Sequence, residues 1–331
     1  MLVKDFVKRW YSQLPLNKEE VDKKPETYYQ FMHYVYKQFI TSLGTDVDEE
    51  DLVKCLDPGT SSLEHFRAPY TKIRFVHCLE KICKQNLQIL ALCYKGNLPA
   101  ACKALEKELF SAYLGKYLGE HYINNIRFEI ERDTMFFRMR DERIYDDKGH
   151  ENVVDNCWHV PFDKRHCADT CRFSLLGYPC LYLGDNKNTS DAEIGPLEAG
   201  KRRWVAPFEF KQPVLLYDLR IPSEEDIDNK DSFGLFQLLL NYPLIAICSA
   251  KSHRKGFNEE YYFPQLFFHY LLSPGDDRAL SYKGIAYSST KWAGGYNIVL
   301  PAFYTGGIPP EESYSQVLKD LLKTDKPEIY K

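Results

Sequence analysis

The apolar residues of this chain change period partway along it, and that change constrains the fold more than any other feature. Before about residue 126 they recur at helical spacing: Val3, Phe6, Val7, Trp10, Tyr11 and Leu14 share one helical face, and Tyr28, Met32, Val35, Phe39 and Leu43 form a second stripe. A long apolar segment at 73–93 precedes Gly-Asn-Leu-Pro, where Asn97 can cap and Pro99 can occupy the first turn of a helix running to about Leu114. Two antiparallel helices joined at Gly96 follow from that pattern, within a small helical bundle. No segment recurs at a fixed period, so a solenoid is not expected.

Beyond about residue 126, short apolar runs broken by Gly, Pro, Asp and Asn take over. Residues 135–139, 180–183, 214–219, 244–248, 284–287 and 298–300 read as strands, with helices near 232–240 and 261–272. Strands mixed with only a few helices predict an α+β fold and not a doubly wound sheet. On texture the chain divides into a helical accessory domain at 1–125 and a second domain at 126–331, and 331 residues suffice for two cores. No GxGxxG or P-loop is present, so a dinucleotide held in a Rossmann-type crevice is not expected.

The charge balance argues against two classes of partner. With 43 basic and 47 acidic residues and a net charge of −4, the chain offers no electrostatic reason to bind nucleic acid or an anionic membrane. The basic run Lys201, Arg202 and Arg203 reads as a solvated turn. No apolar run approaches the ~20 residues of a membrane span, and the amino terminus alternates charged with apolar residues, which predicts a cytoplasmic protein. The ten cysteines are spread through the chain, five of them (Cys55, Cys78, Cys83, Cys93 and Cys102) in helical sequence, and read as reduced core thiols. Cys157, His159, His166, Cys167 and Cys171 offer soft ligands, but without a CxxC pair and at irregular spacing, so no metal is expected.

Residues 172–193, RFSLLGYPCLYLGDNKNTSDAE, carry the densest chemical signal. Arg172 precedes Tyr182 by ten residues, and Tyr182 precedes Glu193 by eleven. Gly177 and Pro179 punctuate a turn, 180–183 suits a buried strand, and Gly184 ends it. A polar loop, DNKNTSD, then leads to Glu193 at the start of the next element. Three polar side chains can thus converge beside one strand end.

The same spacing resembles the RES domain, a family in which a Gly-Arg-aromatic turn leads to a Tyr-Leu strand and then a glutamate. GIAYSSTKWAGGYNIVLPA (284–302) is similar to that family's serine motif, MFFRMR (135–140) to its opening strand, and HVPFDKRH (159–166) and EYYFPQL (260–266) to connecting segments of one subgroup. The resemblance covers 126–331 and leaves 1–125 outside. It implies the split β fold of ADP-ribosyltransferases, with NAD bound as a substrate to be broken and no resident cofactor.

Breaking the nicotinamide glycosidic bond releases a neutral base, so the enzyme must chiefly stabilise an oxocarbenium-like ribose. Carried over from the family, Glu193 takes that role, acting on the ribose hydroxyls, on the developing cation or on the nucleophile. Arg172 holds pyrophosphate or the adjoining ribose with its planar fork. Tyr182 packs on nicotinamide or ribose and makes one directed hydrogen bond, and Ser289 positions substrate without becoming a covalent nucleophile. Arg138 is a second phosphate ligand, or Arg140 if the strand register differs by two residues, while Asn297 fixes the loop that carries Ser289. Two positions depart from the family pattern: Cys171 replaces a common glycine, and Asp191 and Ala192 replace bulky apolar residues before the glutamate. Asp191 would either add a carboxylate to the cleft or point into solvent.

The expected function is therefore an NAD glycohydrolase or NAD phosphorylase of the RES type, with water or phosphate as acceptor. Bacterial members deplete cellular NAD and act as toxins restrained by an antitoxin, which the resemblance permits here as a partner. The helical domain would restrain, position or oligomerise the catalytic one. Two alternatives stand beside this: an ADP-ribosyltransferase acting on a macromolecule, and a non-catalytic binding module working through the helical domain.

Overall fold

The computed structural model describes residues 1–20, 25–56, 71–110, 126–142, 157–252, 258–272, 282–307 and 312–331. The chain begins with helices α1 (Val3–Tyr11), α2 (Tyr28–Asp46), α3 (Glu49–Leu56), α4 (Lys72–Tyr94) and α5 (Leu98–Phe110). Strands β1 (Arg127–Ile130), β2 (Met135–Asp141) and β3 (Cys180–Gly184) follow, then helix α6 (Lys187–Ile194) and strands β4 (Arg203–Phe210) and β5 (Val214–Leu219). Helices α7 (Glu224–Asp228), α8 (Ser232–Cys248) and α9 (Tyr262–Leu271) come next. Strands β6 (Tyr282–Ser288) and β7 (Tyr296–Pro301), helix α10 (Gln316–Leu321) and strands β8 (Leu322–Thr324) and β9 (Glu328–Ile329) complete the order.

Two compact units result. The first joins Met1–Ile126 with Ile221–Tyr270, and the second joins Arg127–Arg220 with Leu271–Lys331. The first crossing coincides with the change of apolar period near residue 126; the chain then returns to the helical unit for about fifty residues and leaves it again, which texture did not mark. Helix α8 explains the return. It is apolar on every side, with Leu238, Leu239, Leu240 and Tyr242 through Cys248 all buried, so it can be stable only when surrounded. Phenols from the first two helices reach its main chain: Tyr11 donates to Leu238 O at 2.8 Å, Tyr36 to Pro243 O at 2.6 Å and Tyr28 to Ile247 O at 2.8 Å.

That helix also corrects one expectation. Residues 244–248, read as a strand, form its last turns, because Pro243 lies inside the helix without ending it and a short apolar run looks alike in either state. Both stripes of the amino-terminal third do form helices, and Gly96 adopts φ +67° between α4 and α5, where Asn97 Oδ1 accepts from Ala100 N at 3.3 Å. The extension of that helix beyond residue 110 lies outside the described residues.

The second unit is built on a mixed sheet, in the order β1-β5-β6-β7-β3-β2-β4-β8, with β9 beside β4. One neighbouring pair, β5 with β6, is parallel. Strand β4 escaped the sequence reading because Pro207 interrupts it, and α6 was read as a polar loop because its polar residues hide a helix capped by Asn186. Strands β2 and β3 share only the pair Phe137 and Gly184, whereas β2 and β4 share seven registered pairs. The sheet is therefore two halves joined at one position. Side chains from both halves build a single core, with Phe136, Ala206 and Phe208 from one and Leu181, Leu183, Ile298 and Leu300 from the other. All ten cysteines are free thiols, and Cys55, Cys83 and Cys93 are buried in the helical unit.

Candidate functional site

Alternation along β3 and β7 decides which side chains meet. Leu181, Leu183, Ile298 and Leu300 point into the core, so Tyr182 and Asn297 face the other way. Tyr287 registers opposite Asn297 and joins that face. The turn before β3 folds over it: Phe173 packs its ring on Tyr287 with centroids 4.9 Å apart, and Arg172 beside it is buried. Tyr182 ties this turn down, its hydroxyl accepting from Phe173 N at 3.2 Å and donating to Ser174 Oγ at 3.1 Å. Burial pushes its phenol well above the usual tyrosine range. The hydroxyl assigned to substrate in the sequence reading is thus engaged with the arginine-bearing turn.

Helix α6 brings Glu193 over the same face. Asn186 Oδ1 caps it by accepting from Thr189 N at 2.9 Å, and Gly195, at φ +88°, ends it, so Glu193 lies in the last turn and not at the start of an element. Ser289 Oγ and Asn297 Nδ2 both donate to Glu193 Oε1, each at 2.7 Å. Among the described residues no donor reaches Oε2, and Glu193 is exposed. One carboxylate oxygen is therefore anchored, and the other has no donor among the described residues. Ser289 Oγ also accepts from Lys291 N at 3.1 Å and Trp292 N at 3.0 Å, which uses its full hydrogen-bonding capacity. Its main-chain N–H donates to Gly295 O at 2.9 Å and closes the loop. Gly295 is required there, since a Cβ would come within 2.2 Å of Thr189 Oγ1 on α6.

The remaining two candidates lie at the split in the sheet. Arg138 Nη1 donates across it to Tyr182 O at 3.4 Å, and Arg140 donates to Trp158 O. Both are half-buried. Burial first, and then the neighbouring Arg140 cation, pull the Arg138 guanidinium down to about 9, so it is still charged at neutral pH. No carboxylate pairs with Arg138 among the described residues. The structure thus forms a carboxylate cluster of Glu193, Ser289 and Asn297, and a second group in which Tyr182 joins the Arg172 turn and Arg138. Tyr287 and Phe173 link the two. Sequence reasoning passed over these aromatic residues and Ser174, although Phe173 and Tyr287 stand inside the quoted motifs beside Arg172 and two residues before Ser289.

Asp191 enters neither group. Its Oδ1 accepts from Arg203 Nη1 at 2.6 Å and its Oδ2 from Lys331 Nζ at 2.5 Å. Burial pushes its carboxyl up, yet Lys331 and Arg203 together hold it below the ordinary aspartate value. Arg203 itself is 1% exposed, which corrects the reading of 201–203 as a solvated turn: the residue opens β4, and two aspartates neutralise it. His159 is likewise committed. Its Nε2 accepts from Ser315 N at 2.9 Å while Nδ1 lies 2.7 Å from Val160 O, a neutral tautomer with both nitrogens used by main chain. Among the described residues no group of three or more His, Cys, Asp or Glu side chains is placed to hold a metal.

Comparison with known proteins adds one relative. The chain is similar to a Bacillus subtilis (strain 168) protein named "Putative toxin YopC", at 28% identity over 171 residues, covering 47% of this chain and 36% of that protein. The match spans about a third of that relative's length. No family model matches the chain, and no solved structure does.

Proposed function

We propose that the chain is an NAD-consuming enzyme that cleaves the bond between nicotinamide and ribose, and that it acts as a toxin by depleting cellular NAD. The observation that carries this reading is Glu193, with one oxygen anchored by Ser289 and Asn297 from 96 and 104 residues away and the other open. The likeness to a protein named as a toxin supports the biological half, and the sheet in two halves joined at one pair suits an ADP-ribosyltransferase-like RES fold.

In this reading NAD lies along the face that carries Tyr182, Asn297 and Tyr287. The free oxygen of Glu193 faces the nicotinamide ribose and opposes its developing positive charge. The glycosidic C–N bond breaks with its electron pair leaving on nicotinamide, which departs neutral. Water or inorganic phosphate attacks the same carbon, and in the hydrolytic case its proton is released to solvent. Arg172 and Arg138 take the phosphate oxygens, which supply an anionic partner that Arg138 lacks among the described residues. Tyr182 acts by fixing the Arg172 turn, and Ser289 by fixing the carboxylate. A protein antitoxin would restrain such an activity in the cell.

Glu193→Gln tests the proposal. It keeps the shape and an acceptor for Ser289 while removing the charge, so nicotinamide release should fall at least about a hundredfold. Unchanged release would rule out the assigned role, and radiolabel passing from NAD to protein or nucleic acid in place of free ADP-ribose would move the reading to a transferase.

A further inference from the structure

The geometry points to Arg203 as a positioning residue that fixes Glu193 relative to the strand carrying Arg138 and Arg140; the kinetic consequence rests on the reading of Glu193 given above, while the structural tie does not. Arg203 spans two elements. Its Nε and Nη2 grip Asp141 at 2.6 and 2.9 Å, and Asp141 ends β2 directly after Arg140. Its Nη1 holds Asp191 on α6 twice, at the side chain (2.6 Å) and at the main-chain oxygen (3.3 Å), two residues before Glu193. The second contact matters because it grips the helix backbone itself.

Two further contacts complete the joint. Arg203 N donates to Lys331 O at 2.9 Å while Lys331 Nζ bonds the other oxygen of Asp191, so Lys331 closes over the pair. One residue before Asp191, Ser190 Oγ donates to Phe137 O at 2.8 Å. Ser190 pins the middle of α6 to β2, and Arg203 pins its final turn, where Glu193 sits.

Stability alone is a poor reason for such a group. A buried ion pair pays a desolvation penalty that its own attraction often only matches, and apolar replacements of similar volume are commonly neutral. A planar guanidinium held by two carboxylates supplies direction, which a packed apolar side chain does not. A lysine keeps the charge but cannot span both partners.

Arg203→Lys and Asp191→Ala are compared with Leu318→Ala, a core change in the same unit. Amide hydrogen exchange over 187–194 should quicken about tenfold in both tie variants while 180–184 stays protected, and Leu318→Ala should show no such local effect. With NAD as substrate, kcat should fall about ten- to a hundredfold in the tie variants with KM within about threefold. If Arg203→Lys does not fold, Asp191→Ala decides, since it leaves the Arg203–Asp141 pair and Ser190 in place. Unchanged exchange over 187–194, or a kcat loss equal to that of Leu318→Ala at matched melting temperature, would overturn the inference. Wild-type protein that leaves NAD intact would instead end the NAD reading, and the exchange result would still decide the tie.

Discussion

Ser289 Oγ donates to Glu193 Oε1 at 2.7 Å while accepting the main-chain N–H groups of Lys291 and Trp292. A serine so fully occupied holds its neighbour in place, which suits the positioning role proposed for it. Ser289→Ala removes the anchor and leaves two N–H groups without their acceptor. Turnover should fall about a hundredfold, mostly in kcat, and Ser289→Thr should keep most of it. Steady-state kinetics on the two variants checks this. Combining Ser289→Ala with Asn297→Ala should cost less than the product of the single losses, because both donors serve one oxygen.

Arg138 separates stability from function. It is half-buried with no carboxylate partner among the described residues, and burial and Arg140 both disfavour its charge. Arg138→Met should therefore raise unfolding stability by roughly 1 kcal/mol, with partial exposure screening the rest. The same change should raise KM for NAD about tenfold or more, the loss of one charge-assisted hydrogen bond to phosphate. Urea unfolding and KM are the paired measurements. A loss of stability with unchanged KM would mean that the residue only supports the sheet split.

Tyr182 is expected to act through the turn it holds. Tyr182→Phe loses both hydroxyl hydrogen bonds, to Phe173 N and to Ser174 Oγ, and should destabilise the protein by about 1–2 kcal/mol. KM should rise severalfold as the Arg172 turn loosens. A collapse of kcat at unchanged stability would instead place the hydroxyl on the reacting atoms.

His159 sets an acid limit on stability. Burial lowers it to about 4, against an opposing hydrogen bond to Val160 O that is larger than the separate pulls of the Arg138, Arg140 and Lys319 cations. The unfolded chain takes up this proton near pH 6.5 and the folded one does not. Stability from His159 is thus intact above about pH 6.5, declines as pH falls, and is fully lost below about pH 4, for a total of about 3 kcal/mol. His159→Gln should show a shallower decline over that interval. Parallel stability curves would contradict the buried neutral histidine.

Much of this was legible because periodicity and spacing are local. The stripes from Val3 to Leu43 report helices directly, and Asn97 and Gly96 mark the joint between two of them. The Arg172, Tyr182 and Glu193 spacing identified side chains that do lie around one sheet face. Illegible features depended on partners far away in the chain. Residues 244–248 look like a strand until the helix that holds them is buried in the helical unit, and Arg203 looks solvated until Asp141 and Asp191 close on it. The hydroxyl of Tyr182 has a substrate-sized range of partners in sequence, and only the folded turn shows Ser174 beside it.

The most direct test of the central claim is the mass-resolved product profile of NAD incubated with wild-type protein and with Glu193→Gln, with and without phosphate. Nicotinamide is expected from wild type alone, accompanied by ADP-ribose if water is the acceptor or by ADP-ribose-1″-phosphate if phosphate is. NAD left intact by the wild-type protein in both buffers would contradict it.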